Sequence, residues 1–286
     1  MKICLVSDDN SGITKSELAK YPNLKLIRMP IIVDGEVYFE NENLTQDDFY
    51  KKLENDQDVT TSQPSPGEVI NFWDELLKEY DHVIHMPMSS GLSESCHSAM
   101  MLAEDYKGKV TVVDNHRISV VLKAAIQEAL KLIDEGKTPE EIKDYLEGTK
   151  QNCSIYVMVD TLKYLKKGGR VTAAGAALGA TFHIKPILTI NGGKLDAYTK
   201  CSGVKRSKKI MINAIKNDLD TKYKDVAKEN LQFAIAYTYD LEAANEFKAE
   251  VEEALGVKVE IVDPLSISVA AHIGPGCLAV TCSVVR

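Results

Sequence analysis

Apolar and polar positions alternate in blocks along the first 150 residues, and each block has the period of one element. Lys2–Val6 reads as a buried strand that closes in Ser7-Asp8-Asp9. A second apolar run covers 24–33, and Asp34-Gly35 before Glu36–Phe39 signals a hairpin. Thr45 with Asp48 opens a helix whose apolar side carries Phe49 and Leu53. In Thr60-Thr61-Ser62-Gln63-Pro64-Ser65-Pro66-Gly67-Glu68, Ser65 and Glu68 have capping-box spacing and Pro66 suits the first helical position. The helix that follows lines up Val69, Trp73, Leu76, Leu77 and Tyr80. His82–Met88 is the next strand. It runs into Ser89-Ser90-Gly91-Leu92-Ser93, and Ala99, Leu102, Ala103 and Tyr106 then recur at helical spacing, with Ser93 as the expected N-cap. Lys109–Val113 is a strand closing in Asp114-Asn115. A helix from about Ser119 to Glu135 stops at Gly136, and Thr138, Pro139 and Glu141 open another that ends at Gly148.

After residue 150 the pattern changes. Ser154–Val159 reads as strand, Leu162–Lys167 as a short helix broken by Gly168-Gly169 before Arg170, and Ala173–Ala180 as a smooth stretch of small residues. Ile184–Ile190 and Lys194–Thr199 form a hairpin across Asn191-Gly192-Gly193. A helix over 204–217, a strand over 231–237, a helix over 241–255, a strand over 257–262 and a closing strand Cys277–Val285 complete the chain. The expected fold is α/β with two α/β domains, 1–150 and 151–286. The first holds a parallel sheet flanked by helices, because strands that alternate with helices return by crossovers. Ligands of such sheets sit beyond the carboxyl ends of the strands. Ser7-Asp8, Ser89–Ser93 and Asp114 all fall there.

The Ser89–Ser93 turn is a candidate anion site. The first N–H groups of a helix lack internal partners and sit at the positive end of its dipole. Thr61 and Ser62 precede a second helix N-terminus and can face the same crevice. Plain capping and solvated loop hydroxyls are the structural alternatives at both places. Composition narrows the partners. A net charge of -8 over 286 residues disfavours nucleic acid or an anionic membrane as the main partner. Six scattered cysteines without a CxxC read as reduced thiols of a cytoplasmic protein, with no metal site. Met1–Asp8 turns acidic too soon for a signal peptide. GxGxxG and a Walker lysine loop are both absent, so a nucleotide site is not expected.

Several stretches together resemble the DegV family of bacterial fatty-acid-binding proteins. They are Ser7-Asp8, Thr61-Ser62-Gln63-Pro64-Ser65-Pro66, Ser89-Ser90-Gly91-Leu92-Ser93, Val113-Asp114, Leu162–Arg170, Lys185-Pro186-Ile187-Leu188 and His272-Ile273-Gly274-Pro275-Gly276. The resemblance implies two domains with one long-chain fatty acid held in a cleft between them. It implies a non-catalytic subunit that presents the carboxylate to a separate fatty-acid kinase, which makes an acyl phosphate for phospholipid synthesis. No cofactor is implied, and the product's destination allows a transient membrane contact. By the same resemblance Thr61, Ser62, Ser93 and His272 bind the carboxylate. Ser89, Ser90, Gly91, Leu92 and Arg170 support the head-group region, and Arg206 docks the kinase. The chain departs from the family at Glu94, where a small residue is usual, and at Asp9 and Asn115, where Ser or Thr is usual.

The chemistry is consistent with that reading. A fatty acid needs a dry tunnel for its tail, worth about 0.8 kcal/mol per methylene, and converging donors for a carboxylate that is costly to bury unpaired. Thr61, Ser93 and the turn's N–H groups supply donors, and His272 adds one in either protonation state. Ala173–Leu178, Phe182, Ile184, Ile187 and Leu188 can line the tunnel, but ordinary core packing is the favoured reading for any one of them. Lys205, Arg206, Lys208 and Lys209 form a basic run that is otherwise an exposed helix face. The rival function is a serine esterase or thioesterase with Ser93 as nucleophile, since Ser93 and His272 follow the chain order of a nucleophile-elbow triad. Gly91-Leu92-Ser93-Glu94-Ser95 lacks the second glycine of that elbow.

Overall fold

The computed structural model describes residues 1–178, 184–191 and 193–286, with no side chain for Asn191. Of the sequence expectations, Gly179, Ala180, Phe182 and Gly192 lie outside the described residues. The first half runs β1 (Ile3–Asp8), α1 (Lys15–Leu18), β2 (Leu24–Ile27), β3 (Ile31–Val33), β4 (Glu36–Tyr38), α2 (Gln46–Glu54), β5 (Val59–Thr61), α3 (Pro66–Leu76), β6 (His82–Met86), α4 (Ser95–Ala103), β7 (Val110–Val112), α5 (Ser119–Asp134) and α6 (Pro139–Gly148). The second runs β8 (Cys153–Met158), α7 (Lys163–Gly168), α8 (Ala173–Ala177), β9 (Ile184–Asn191), β10 (Lys194–Ser202), α9 (Val204–Asp220), β11 (Leu231–Tyr237), α10 (Leu241–Leu255), β12 (Val259–Pro264), α11 (Ile267–Ile273) and β13 (Leu278–Val284).

The alternation of the first half yields a parallel sheet in the order β2-β1-β6-β7. Its central strands β1 and β6 are buried along their whole length, as a sheet covered on both faces requires. The caps read from the sequence form: Thr45 accepts from the Asp48 amide, and Ser65–Glu68 and Thr138–Glu141 close reciprocal boxes. Asp34 and Gly35 both take positive φ, the mark of the tight turn between β3 and β4. The second half builds a mixed six-stranded sheet, β10-β9-β8-β13-β11-β12.

A third, antiparallel sheet, β4-β3-β5, changes how the halves relate. With α2 it forms one apolar cluster, and Ile267, Ala270 and Ala271 of α11 are buried in it. The halves are also tied by Lys123 of α5, which is buried between Glu17 at 2.7 Å and Asp263 at 2.9 Å. Several elements differ from expectation: α1 and β5 are not predicted, and the 24–33 run divides into β2 and β3, which join different sheets. Helix α4 begins at Ser95 with Glu94 as its boundary residue, so Ser93, the expected cap, sits one place before the observed one. Its hydroxyl still accepts the Ser95 amide at 3.2 Å. Helix α11 falls in 263–276, where the short run between Pro264 and Gly274 shows too little periodicity to predict an element. Among the described residues no helix is long and apolar enough to cross a membrane.

Candidate functional site

Between α5, α11 and one face of the six-stranded sheet lies a cavity of about 950 Å³, counting its open mouth. One set of its walls is apolar: Val120 and Val121 from α5, Ile155 and Val157 from β8, Ala236 from β11 and Ala279 from β13. The room exists because Ala236 and Ala279 pair in register, and Ala279 also faces Val157 across β8. Two methyl-sized side chains side by side leave the sheet locally unfilled. The other walls include Thr61, Ser62, Gln63, Ser93, Arg170 and His272.

Each of these groups is placed by a specific local structure. Thr61 ends β5, whose pairing with Ile31 of β3 holds it at the rim. His272 sits on α11. Ser266 makes no side-chain cap at the start of that helix. Glu40 does so from the other end of the chain, accepting the Ile267 amide at 2.7 Å. Gln46 donates to Glu40 at 2.7 Å and to the Leu265 carbonyl at 3.1 Å. The result is a 2.6 Å contact between Thr61 Oγ1 and His272 Nε2, made by residues 211 positions apart. Gly168 explains the first glycine of Lys166-Lys167-Gly168-Gly169-Arg170. A Cβ there would stand 2.2 Å from His272 Nδ1, so only hydrogen fits against the ring. Arg170 donates to the Leu92 carbonyl at 3.3 Å and also to the Gly168 carbonyl, which links the α7 loop to the serine turn.

The Ser89–Ser93 turn divides its labour. Leu92 and Ser93 line the cavity, while Ser89, Ser90 and Gly91 do not. Ser89 is fully buried and donates to the Gly193 carbonyl at 3.0 Å. Gly91 is pressed on the same residue, and a Cβ would lie 2.6 Å from the Gly193 carbonyl carbon and oxygen. Asp114 accepts the Ser90 amide at 3.3 Å, and Asp8 accepts the Met88 amide at 2.9 Å. These strand-end carboxylates shape the turn and stay out of the cavity lining.

The three departures are accounted for. Glu94 is largely exposed and bonds His97 at 3.1 Å, so it points away from the cavity. Asp9 accepts the Met29 amide, and burial, with Asp8 and Glu40 nearby, pushes its carboxyl up to about 8. Asn115 accepts the Arg117 amide at 3.0 Å. None of the tunnel candidates Ala173–Leu178, Ile184, Ile187 or Leu188 lines the cavity; α8 packs on β10, and Ile187 faces the opposite core. Ile190 and Leu195 line it instead. Arg206 is exposed on α9, away from the cavity, whereas Lys208 is buried against Glu250 at 3.1 Å and so leaves the basic run.

Burial, reinforced by the charges of Arg170 and Lys167, holds the His272 imidazole down at about 4. His272 is therefore a neutral donor or acceptor at neutral pH, one of the two protonation states the sequence leaves open. The unfolded chain binds this proton near 6.5 and the folded one only near 4, so acidification across that window costs stability. His272→Gln is expected to lose less stability between about pH 7 and pH 5 than the parent chain does, as read from urea midpoints. Equal losses in the two would refute this. The same ring carries no carboxylate among its close partners, and Ser93 is engaged with the Ser95 amide. The described residues thus do not assemble a Ser-His-acid relay.

A family model described as "Uncharacterised protein, DegV family" matches residues 2–284. A DegV domain-containing protein of Staphylococcus aureus is 30% identical over 281 residues, 97% of each chain. Two solved structures are similar throughout both chains. One is described as showing fatty acid binding of a DegV family protein from Thermus thermophilus, with a TM-score of 0.89 at 28% identity. The other is a fatty acid binding DegV family protein from Streptococcus agalactiae, with a TM-score of 0.88 at 25% identity.

Proposed function

The chain belongs to the DegV family, and on that premise we propose that it binds a long-chain fatty acid and presents its carboxylate to a separate kinase. The observation that carries the reading is the shape and chemistry of one cavity: apolar walls from both halves of the chain, with Thr61, Ser93 and His272 among its lining residues. A sixteen-carbon tail buried there is worth roughly 10 kcal/mol before ordering costs are subtracted. That gain can offset the cost of desolvating a carboxylate only if the carboxylate is hydrogen-bonded. Thr61, Ser62 and Ser93 hydroxyls, the His272 imidazole and Arg170 are the groups we assign to it. The halves 1–150 and 151–286 act as the two lobes around the ligand. Arg206, exposed on α9, is the assigned kinase contact, and the protein works in the cytoplasm.

Two experiments test the two parts. Denaturing extraction of the purified protein followed by mass spectrometry is expected to release a fatty acid, and the lipid-stripped protein is expected to bind palmitate or oleate. Absence of both rules out the binding reading. Incubation of the loaded protein with a bacterial fatty-acid kinase and ATP is expected to give an acyl phosphate, trapped as a hydroxamate. Arg206→Ala should lower that yield with palmitate affinity unchanged, and an unchanged yield removes Arg206 from the docking role.

A further inference from the structure

The start of α5 carries donors that nothing described satisfies. Helix α5 is sixteen residues long, its boundary residue Ile118 offers no side-chain cap, and Leu122 is the first residue whose amide finds a carbonyl, that of Ile118. The amides of Ser119, Val120 and Val121 make no hydrogen bond among the described residues, yet these residues are 7%, 3% and 1% exposed. The Ser119 hydroxyl likewise has no partner among the described residues, and Ser119 lines the cavity together with Val120 and Val121. Buried N–H groups are almost always paired, so an oxygen belongs at this position. The location is also informative. The Arg117 carbonyl accepts the Ser89 amide at 2.9 Å, which sets the beginning of α5 beside the serine turn.

We infer that Ser119 and the first-turn amides of α5 form a second donor group for the head of the ligand, complementing the Thr61–His272 pair, with an oxygen of the carboxylate as what they take. The inference rests on the fatty-acid reading above. A helix of this length adds the positive end of its dipole to the three amides, which favours an anion over a neutral oxygen. Ser119 itself has φ 55°, a backbone conformation uncommon outside glycine.

The test compares palmitate with hexadecanol, which has the same tail and no charge, in the parent protein and in Ser119→Gly. Glycine accepts the left-handed backbone, so the variant loses the hydroxyl without added strain. Palmitate affinity is expected to fall about tenfold, the worth of one hydrogen bond to a charged group, with hexadecanol affinity nearly unchanged. In the parent protein the Val120 and Val121 amide proton resonances should move strongly downfield with palmitate and much less with hexadecanol. Equal losses for both ligands, or amides that palmitate leaves in place, overturn the assignment. A parent protein that binds neither ligand overturns the fatty-acid reading itself, and that result is distinct from the others.

Discussion

Gly168→Ala is expected to reduce palmitate affinity about ten- to a hundredfold and to lower thermal stability only slightly, because a gain in helix propensity offsets part of the lost contact. The two halves of that expectation have separate causes. Gly168 is the last residue of α7 and does not hold a left-handed backbone, so alanine suits its conformation and favours the helix by up to about 1 kcal/mol. The new methyl, however, would lie 2.2 Å from His272 Nδ1 and 3.0 Å from Cε1. Helix α7 cannot back away, because Leu165 is fully buried beneath it. The imidazole must therefore turn, and its 2.6 Å contact with Thr61 is lost. Calorimetric titration with palmitate beside a melting curve measures both halves. The double variant with His272→Ala should lose little more than either single one, since both act on the same ring. Full affinity in a folded Gly168→Ala would remove His272 from the head-group contacts.

Among the apolar walls, Ala279→Leu is expected to weaken palmitate binding by roughly 2–3 kcal/mol, about 30- to 150-fold. Ala279 lines the cavity on β13, between Ala236 on β11 and Val157 on β8. Three added carbons there exclude about three methylenes of the tail, each worth about 0.8 kcal/mol. The lipid-free protein should become no less stable, because the side chain fills existing space rather than invading packed core. Octanoate, whose shorter tail fills less of the cavity, should lose less affinity in the variant than palmitate does. The comparison of the two acids by fluorescent-lipid displacement is therefore internally controlled. Undiminished palmitate affinity would mean that the tail runs elsewhere.

The sequence carried much of the architecture. Ser65–Glu68 and Thr138–Glu141 announce their helices because both halves of a capping box are local, and Asp34-Gly35 announces its turn because few residue pairs tolerate positive φ. Thr61, Ser93 and His272 were legible as residues, but their meeting was not. It depends on a small sheet from the first half gripping a helix from the second, and no periodicity encodes a contact across 211 positions. The tail walls are hidden in the sequence for a related reason. Ala236 and Ala279 look like unremarkable strand residues until cross-strand register puts them side by side. In the sequence Ser119 marks only a helix start, since its missing partners become evident from geometry alone. Glu40 and Gln46 carry no signal beyond their polarity, and a half-buried carboxylate that caps a distant helix is recognisable only once both ends are in place.

The grip of Glu40 on the Ile267 amide has a consequence for how the protein is made. A ribosome delivers β3, β5 and α2 more than 200 residues before α11, so their shared apolar cluster must wait, partly uncovered, until α11 has been made. The nascent chain can complete its parallel sheet early, but the cavity stays open until β13, which carries Ala279 and Thr281, has cleared the exit tunnel. Any chain cut short before that point is empty by construction, however well its first half has folded.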